Sequence, residues 1–176
     1  MIKKISNSLE NSFKKKVVSL YESAFPPDER RRSEEFLRLV EEEPLFQLDV
    51  FVNERDEFVG FFTKWVWDDF CYGEHFAVSP EFRGGGYGRE ILEEEFRDDN
   101  RPLLLEVELP ENEMACRRIG FYQRNGFRLW EEIPYVQPSY GPGLASLEMK
   151  LMTRGDIELT ADDERIRRFR RCVYGV

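Results

Sequence analysis

The chain has 176 residues, enough for one domain, and 41% of them are hydrophobic, with 15 Phe to fill a core. Its formal net charge of −9 argues against a general nucleic-acid binder, which would have to overcome phosphate repulsion. No stretch approaches the roughly 20 apolar residues of a membrane helix, and the start, Met1 to Ser8, is too polar for a signal peptide, so a cytoplasmic protein with no membrane or nucleic-acid partner is expected.

In chain order, residues 2–6 fit a short strand, and Phe13, Val17, Leu20, Tyr21 and Ala24 recur at helical spacing over 12–24. Phe25-Pro26-Pro27-Asp28 ends that helix. Ser33 is placed to cap a second helix with Phe36, Leu37 and Val40 inward, closed by Pro44. The period then changes. Residues 45–52 and 57–67 read as a hairpin turning at Asn53-Glu54-Arg55-Asp56, and a strand follows over 70–78. A helix is expected over 86–97, with Ile91, Leu92, Glu95 and Phe96 along one side. Alternation over 102–109 sets Leu103, Leu105, Val107 and Leu109 on one face and Leu104, Glu106 and Glu108 on the other. A helix over 113–124 carries Ala115, Ile119 and Tyr122 on one stripe, and strands over about 127–136 and 144–152 complete the pattern. Beyond Gly155, Thr160 reads as the cap of a last helix whose Ile166, Phe169 and Val173 make an apolar stripe among five arginines. That stripe is expected to pack back on the domain. The three cysteines, Cys71, Cys116 and Cys172, are far apart and read as buried thiols. With His75 the only histidine, no zinc arrangement is possible and no metal is expected.

The stretch with most chemical content is Glu74-His75-Phe76-Ala77-Val78-Ser79-Pro80-Glu81-Phe82-Arg83-Gly84-Gly85-Gly86-Tyr87-Gly88-Arg89, running from strand through a glycine-rich turn into a helix. Glycines let successive N–H groups turn toward a common point, and the helix start adds free N–H groups and a positive dipole end. Together they make a phosphate cradle, with Arg83 and Arg89 to balance charge. A P-loop run is missing, and a dinucleotide fingerprint fails because Arg89 or Ile91 falls where its last glycine belongs. What fits is RxxGxG, as Arg83-Gly84-Gly85-Gly86-Tyr87-Gly88.

About 35 residues downstream, Phe121-Tyr122-Gln123-Arg124-Asn125-Gly126-Phe127 resembles the second signature of the GNAT superfamily of N-acyltransferases, a helix ending in Y-x-x-x-G-F. Between the two, Leu103-Leu104-Leu105-Glu106-Val107-Glu108 looks like that family's fifth strand, and Ala24-Phe25-Pro26-Pro27-Asp28-Glu29-Arg30 looks like its F-P-x-x-E-R turn. The resemblance covers residues 1–153. It implies a mixed α/β fold: a central, mostly antiparallel twisted sheet of about six or seven strands flanked by helices. In it, two parallel strands, 70–78 and 102–109, splay apart to hold acyl-CoA. Residues 154–176 would be a helical extension packed on this domain.

The resemblance also implies roles. Phe76, Ala77 and Val78 would offer backbone groups to the pantetheine arm, and Arg83, Gly84, Gly85, Gly86, Tyr87, Gly88 and Arg89 would hold the pyrophosphate. Asn112 stands where many members carry an asparagine near CoA, though three extra residues separate it from the tyrosine. Tyr122 stands at the general acid, and a phenol suits the protonation of a departing thiolate. Glu106 and Glu74 are both candidate bases, Glu108 shares the face of Glu106, and a base acting through water needs no single residue. His75 points away from Glu74 and is not expected to act. The function implied is acetyl transfer from acetyl-CoA, as co-substrate, to a primary amine of a small molecule or peptide, by direct attack in a ternary complex. The alternative is a catalytically weak acyl-CoA-binding module acting as sensor or subunit. The acceptor-side loops are about 25–44 and Tyr135–Gly143. Their carboxylates and the chain's acidity suggest a cationic acceptor, and the protein would act as a monomer or homodimer.

Overall fold

The computed structural model describes residues 2–6 and 11–176; Met1 and residues 7–10, part of the polar start, lie outside the described residues. The chain forms two compact units, Met1–Val66 with Gly73–Asn100, and Trp67–Tyr72 with Arg101–Val176. A seven-stranded sheet has the order β1-β2-β3-β4-β5-β7-β6, antiparallel in β1–β2, β2–β3, β5–β7 and β6–β7 and parallel in β4–β5. This is the mixed α/β fold expected from the sequence.

The first unit holds β1 (Lys3–Ser6), α1 (Asn11–Ala24), α2 (Ser33–Glu42), β2 (Phe46–Val52), β3 (Phe58–Val66), most of β4 (Cys71–Val78) and α3 (Tyr87–Glu95). Asn53 sets the β2–β3 turn: its side-chain oxygen accepts from the N–H groups of Arg55 and Glu57 at 2.9 and 3.0 Å. That turn fixes a register in which Val50 faces Phe61. The core is largely aromatic. Tyr21 stacks on Phe36 at 4.3 Å and meets the edge of the His75 ring at 4.9 Å, with Phe25 and Phe61 closing the group. A buried polar cluster lies on the same strands. Lys64 pairs with Glu95 of α3 and lies 3.8 Å from Asp49, while Lys4 lies 3.8 Å from Glu95. Burial, then the charge of Asp49, pushes the Glu95 carboxyl up to about 7 against the pull of Lys64 and Lys4.

The second unit holds β5 (Leu103–Glu108), α4 (Glu113–Arg124), β6 (Arg128–Gln137), β7 (Leu147–Arg154), α5 (Glu164–Tyr174) and the first residues of β4, where the Cys71 N–H donates to the Pro102 carbonyl at 2.9 Å. Ala115, Ile119 and Tyr122 are the buried stripe of α4, and Ile166, Phe169 and Val173 that of α5. Phe169 stacks on Tyr72 at 4.3 Å with rings nearly parallel, and Arg168 reaches Asp69 at 2.6 Å. Helix α5 is therefore docked by specific contacts along its length.

Several sequence expectations shift. Ser33 is the first residue of α2, not its cap; Arg32 holds the cap position without a side-chain bond, and Ser33 Oγ donates to Glu22. The chain is pinned one residue earlier, where the Arg31 N–H donates to the Tyr21 hydroxyl at 2.9 Å. Thr160 does not cap α5. Asp163 does, accepting from the Arg165 N–H at 2.9 Å, because a carboxylate is the stronger acceptor at a positive helix end. The last strand starts at Leu147 rather than 144, after a loop carrying Pro138, Gly141, Pro142 and Gly143. Leu104 is fully buried although it shares a face with Glu106, so both faces of β5 are covered at its start. Of the cysteines only Cys71 is buried; Cys116 and Cys172 are exposed on α4 and α5, off the buried stripes of those helices.

Strand β3 meets β4 so closely at Gly60 that a Cβ there would lie 2.4 Å from the Ala77 carbonyl oxygen and 3.2 Å from the Val78 Cα. Both are backbone atoms, so the strands must move. Gly60→Ala is expected to lower stability by about 1–3 kcal/mol, read as a lower urea midpoint; an unchanged midpoint would mean that the two strands have slack here.

Candidate active site

Strand β4 ends in a tight sequence of bonds. The Ser79 N–H donates to the Val59 carbonyl at 2.8 Å, and Ser79 Oγ donates to Glu81 at 2.7 Å. Arg83 folds back, its Nε donating to the Val78 carbonyl at 2.9 Å, so one of the backbone acceptors expected to meet a pantetheine arm already has a partner. Phe76 lies beside Phe62 with ring centroids 5.7 Å apart.

The turn then crosses Gly84 and Gly86, both left-handed at φ 78° and 85°, and Gly86 is the residue from which α3 starts, with no side chain capping it. A Cβ built on either glycine meets nothing within 4 Å. Conformation, not crowding by the protein, is what demands glycine, and the space above the turn is open to a ligand. The turn and the first residues of α3 thus have the form of an anion cradle. Arg89 is exposed and donates to Glu93 at 2.7 Å, one turn along the helix, and Tyr87 packs edge-on to Phe82 at 5.4 Å.

Glu74 is a hub. Its side chain is wholly buried, ion-paired with Arg31, and accepts from Trp65 Nε1 at 2.6 Å. Burial alone would raise this carboxyl, yet Arg31, His75 and the hydrogen bonds from Trp65 and Arg31 hold it below the usual carboxylate range. His75, also buried, sets its Nε2 3.0 Å from the Glu29 carbonyl oxygen, and burial lowers its pKa despite the nearby Glu74. Both groups are locked into the frame of the first unit. Arg31 and Trp65 were not singled out in the sequence. Arg31 sits within Arg30-Arg31-Arg32, where charge pattern alone reads as a solvated run.

In the second unit, Asn112 is the N-cap of α4: its side-chain oxygen accepts from the Ala115 N–H at 2.8 Å. At the far end Gly126, left-handed at φ 85°, lets the Phe127 N–H return to the Tyr122 carbonyl at 3.1 Å, so the Tyr-x-x-x-Gly-Phe signature is a helix-termination motif. The Tyr122 ring packs edge-on to Phe127 at 5.1 Å, and its hydroxyl makes no hydrogen bond among the described residues. Burial, only partly offset by Arg118, pushes the Tyr122 phenol up to about 12.

Glu106 accepts from two phenols. Tyr135 of β6 donates to Oε1, and Tyr174 of α5 donates to Oε2 at 2.7 Å. Tyr174 in turn lies 3.2 Å from the Tyr72 hydroxyl and edge-on to Tyr140 at 4.9 Å. Burial first, then the Glu106 charge, raises the pKa of Tyr135 and Tyr174 far above the ordinary phenol value. Glu108 points to the helix side, where Arg118 holds it at 2.6 Å. The loop 135–143 was marked from the sequence, but Tyr174 was missed, because it falls outside the apolar stripe of its helix. Among the described residues no group of three or more His, Cys, Asp or Glu side chains could hold a metal ion.

Comparisons with known proteins fit this geometry. A family model for the acetyltransferase (GNAT) domain matches residues 47–129. A solved GNAT-family structure from Bacteroides thetaiotaomicron is 40% identical, covers 100% of this chain and 99% of its own, and superposes with a TM-score of 0.88. Two more distant structures share the fold. The ribosomal-protein-S18-alanine N-acetyltransferase of Escherichia coli is 19% identical, with 93% and 99% covered and a TM-score of 0.60. The spermidine N-acetyltransferase of Vibrio cholerae, solved with CoA and spermine, is 15% identical, with 85% and 94% covered and a TM-score of 0.61. No curated protein matches the chain in sequence.

The Glu74 hub has a clear energetic signature. Because its folded value lies below the ordinary 4.5, its stabilisation is present above pH 4.5 and is lost as the pH falls through the folded value. Arg31→Met removes the largest influence opposing burial, leaving His75 and the Trp65 bond, and is expected to push the carboxyl up. The variant is expected to lose about 3–5 kcal/mol at pH 7, with a smaller deficit at pH 5, where the stranded carboxyl takes up a proton. Urea unfolding at the two pH values measures this; an equal deficit at both would mean that Glu74 is not the stranded charge.

Proposed function

Because the chain belongs to the GNAT acetyltransferase family, we propose that it transfers an acetyl group from acetyl-CoA to a primary amine, by direct attack within a ternary complex. The observation that carries this reading is the glycine turn. Gly84 and Gly86 are held left-handed under open space at the start of α3, which suits a pyrophosphate and gives the chain no other evident use for that conformation.

The reaction needs three services. The amine nitrogen bonds to the thioester carbonyl carbon, the carbonyl becomes a transient oxyanion, and on its collapse the carbon–sulfur bond breaks and the thiolate leaves. Tyr122 supplies the leaving sulfur with a proton. A phenol at about 12 is fully protonated at neutral pH, and a hydroxyl with no partner among the described residues is ready to donate. Glu106 takes the proton that the attacking nitrogen must shed. Backbone N–H groups of Phe76–Val78 are the candidates for the oxyanion. Glu74, already committed to Arg31 and Trp65, serves the frame, and Asn112 serves as a helix cap. An acidic chain with a carboxylate on the acceptor side favours a cationic amine such as a polyamine, an aminoglycoside or a peptide amine.

Acetyl-CoA at about 100 times its dissociation constant is expected to add about 2.7 kcal/mol of stability, and ATP and NAD much less. Gly86→Val forces a β-branched residue into left-handed backbone and fills the open space, and should abolish the shift. If the variant still responds to acetyl-CoA as the parent does, the cradle lies elsewhere.

Release of free CoA thiol across a panel of amines tests the activity itself, and no turnover with any amine would favour the binding-module alternative. With the best acceptor of that panel, Tyr122→Phe should lower kcat about 10- to 1000-fold while leaving acetyl-CoA affinity and stability near the parent's. Unchanged kcat would return Tyr122 to a packing role.

A further inference from the structure

We infer that α5 is part of the acceptor side of the site: its Tyr174 hydroxyl, together with that of Tyr135, aims and holds the Glu106 carboxylate that receives the proton of the attacking amine. The inference rests on the reading of Glu106 as that acceptor and adds to it the residues that make the carboxylate competent.

The geometry carries it. Each Glu106 oxygen accepts from a different phenol, one on β6 and one on α5, so the carboxylate plane is fixed from two directions. A carboxylate has about four acceptor sites, and the two phenols take one on each oxygen. The direction of the bonds is also set. An ionised carboxylate can only accept, so Tyr174 spends its proton on Glu106 and must accept from Tyr72, giving a chain of donors Tyr72 to Tyr174 to Glu106 in which each bond strengthens the next.

Helix α5 is built to deliver this hydroxyl. Asp163 fixes its start, Phe169 stacks on Tyr72, Arg168 reaches Asp69, and Gly175, left-handed at φ 78°, ends the helix directly after Tyr174. A helix that only covered the core would need Ile166, Phe169 and Val173. Tyr174 lies outside that stripe, and its hydroxyl is turned to a carboxylate on β5.

Tyr174→Phe and Tyr135→Phe keep the rings and remove one hydroxyl each, and the test combines them with Glu106→Gln. In urea unfolding, Tyr174→Phe with Glu106→Gln should cost less than the sum of the two alone, because both weaken the same contact, one by removing the hydroxyl and the other by removing the charge it donates to. With the best panel amine, each phenylalanine variant should lower kcat about tenfold, the loss of one charge-assisted hydrogen bond, while KM for acetyl-CoA stays at the parent value. In the Glu106→Gln background the same changes should lower kcat no further. Strict additivity in both unfolding and kcat overturns the inference. If Glu106→Gln cripples turnover but neither phenylalanine variant lowers kcat, the inference fails and Glu106 stands as proton acceptor. If Glu106→Gln turns over like the parent, the reading of Glu106 fails and takes the inference with it.

Discussion

A carboxylate removed from water must be matched by charge or by donors, and three glutamates of this protein set where distant segments of the chain must lie. Glu74 draws in Arg31 from the extended stretch before α2 and Trp65 from β3. Glu95 is held at the far end of α3 by Lys64 of β3 and Lys4 of β1. Glu106 draws donors from β6 and from α5. Arg31, Glu95 and Tyr174 tie a loop and two helices to strands, while Trp65 and Tyr135 tie one strand to another. Aromatic packing supplies the bulk of the burial, but it would tolerate many arrangements; a buried carboxylate tolerates few.

On the function proposed above, Glu74 belongs to the frame and Glu106 to the chemistry. Glu74 is held ionised by a full cation and a ring N–H, an arrangement that leaves it stable and unreactive near neutrality. Glu106 accepts from two neutral phenols, and a neutral donor can yield to an arriving ammonium at modest cost. Sequence could not rank the two, since both are glutamates alternating with apolar residues on strands. The difference lies in what approaches each from elsewhere in the chain.

How far the sequence could be read follows the range of each interaction. Helical periodicity found the buried stripes Ala115, Ile119 and Tyr122 on α4 and Ile166, Phe169 and Val173 on α5, because a stripe is a property of one segment. The turn at Asn53 and the glycine run 84–86 were legible because particular backbone angles need particular residues. Caps were less so. Ser33 is the better cap on paper than Arg32, yet the start of α2 fell where the flanking chain is pinned, and at α5 the stronger acceptor, Asp163, took the cap from Thr160. Arg31, Trp65, Tyr72 and Tyr174 were invisible, since their roles exist only across many residues of separation.

Strand β6 carries a feature with a further consequence. Trp130 pairs with Leu151 and Tyr135 with Met149, so five steps along β6 are matched to two along β7, and Pro134 lies inside the irregular stretch. The excess works as a vernier: its length, more than its composition, decides how far along the sheet the next phenol arrives and on which face. Substitutions at the exposed positions 131, 132 and 134 leave that setting alone, Ile133 is buried and anchors the stretch in the core, and loss or gain of one residue would turn Tyr135 to the opposite face. Over evolutionary time the exposed positions of this segment should drift in identity while Ile133 stays apolar and the length hardly changes, and, on the reading that Tyr135 serves the acceptor side, a change of length there would be a direct route to a different acceptor.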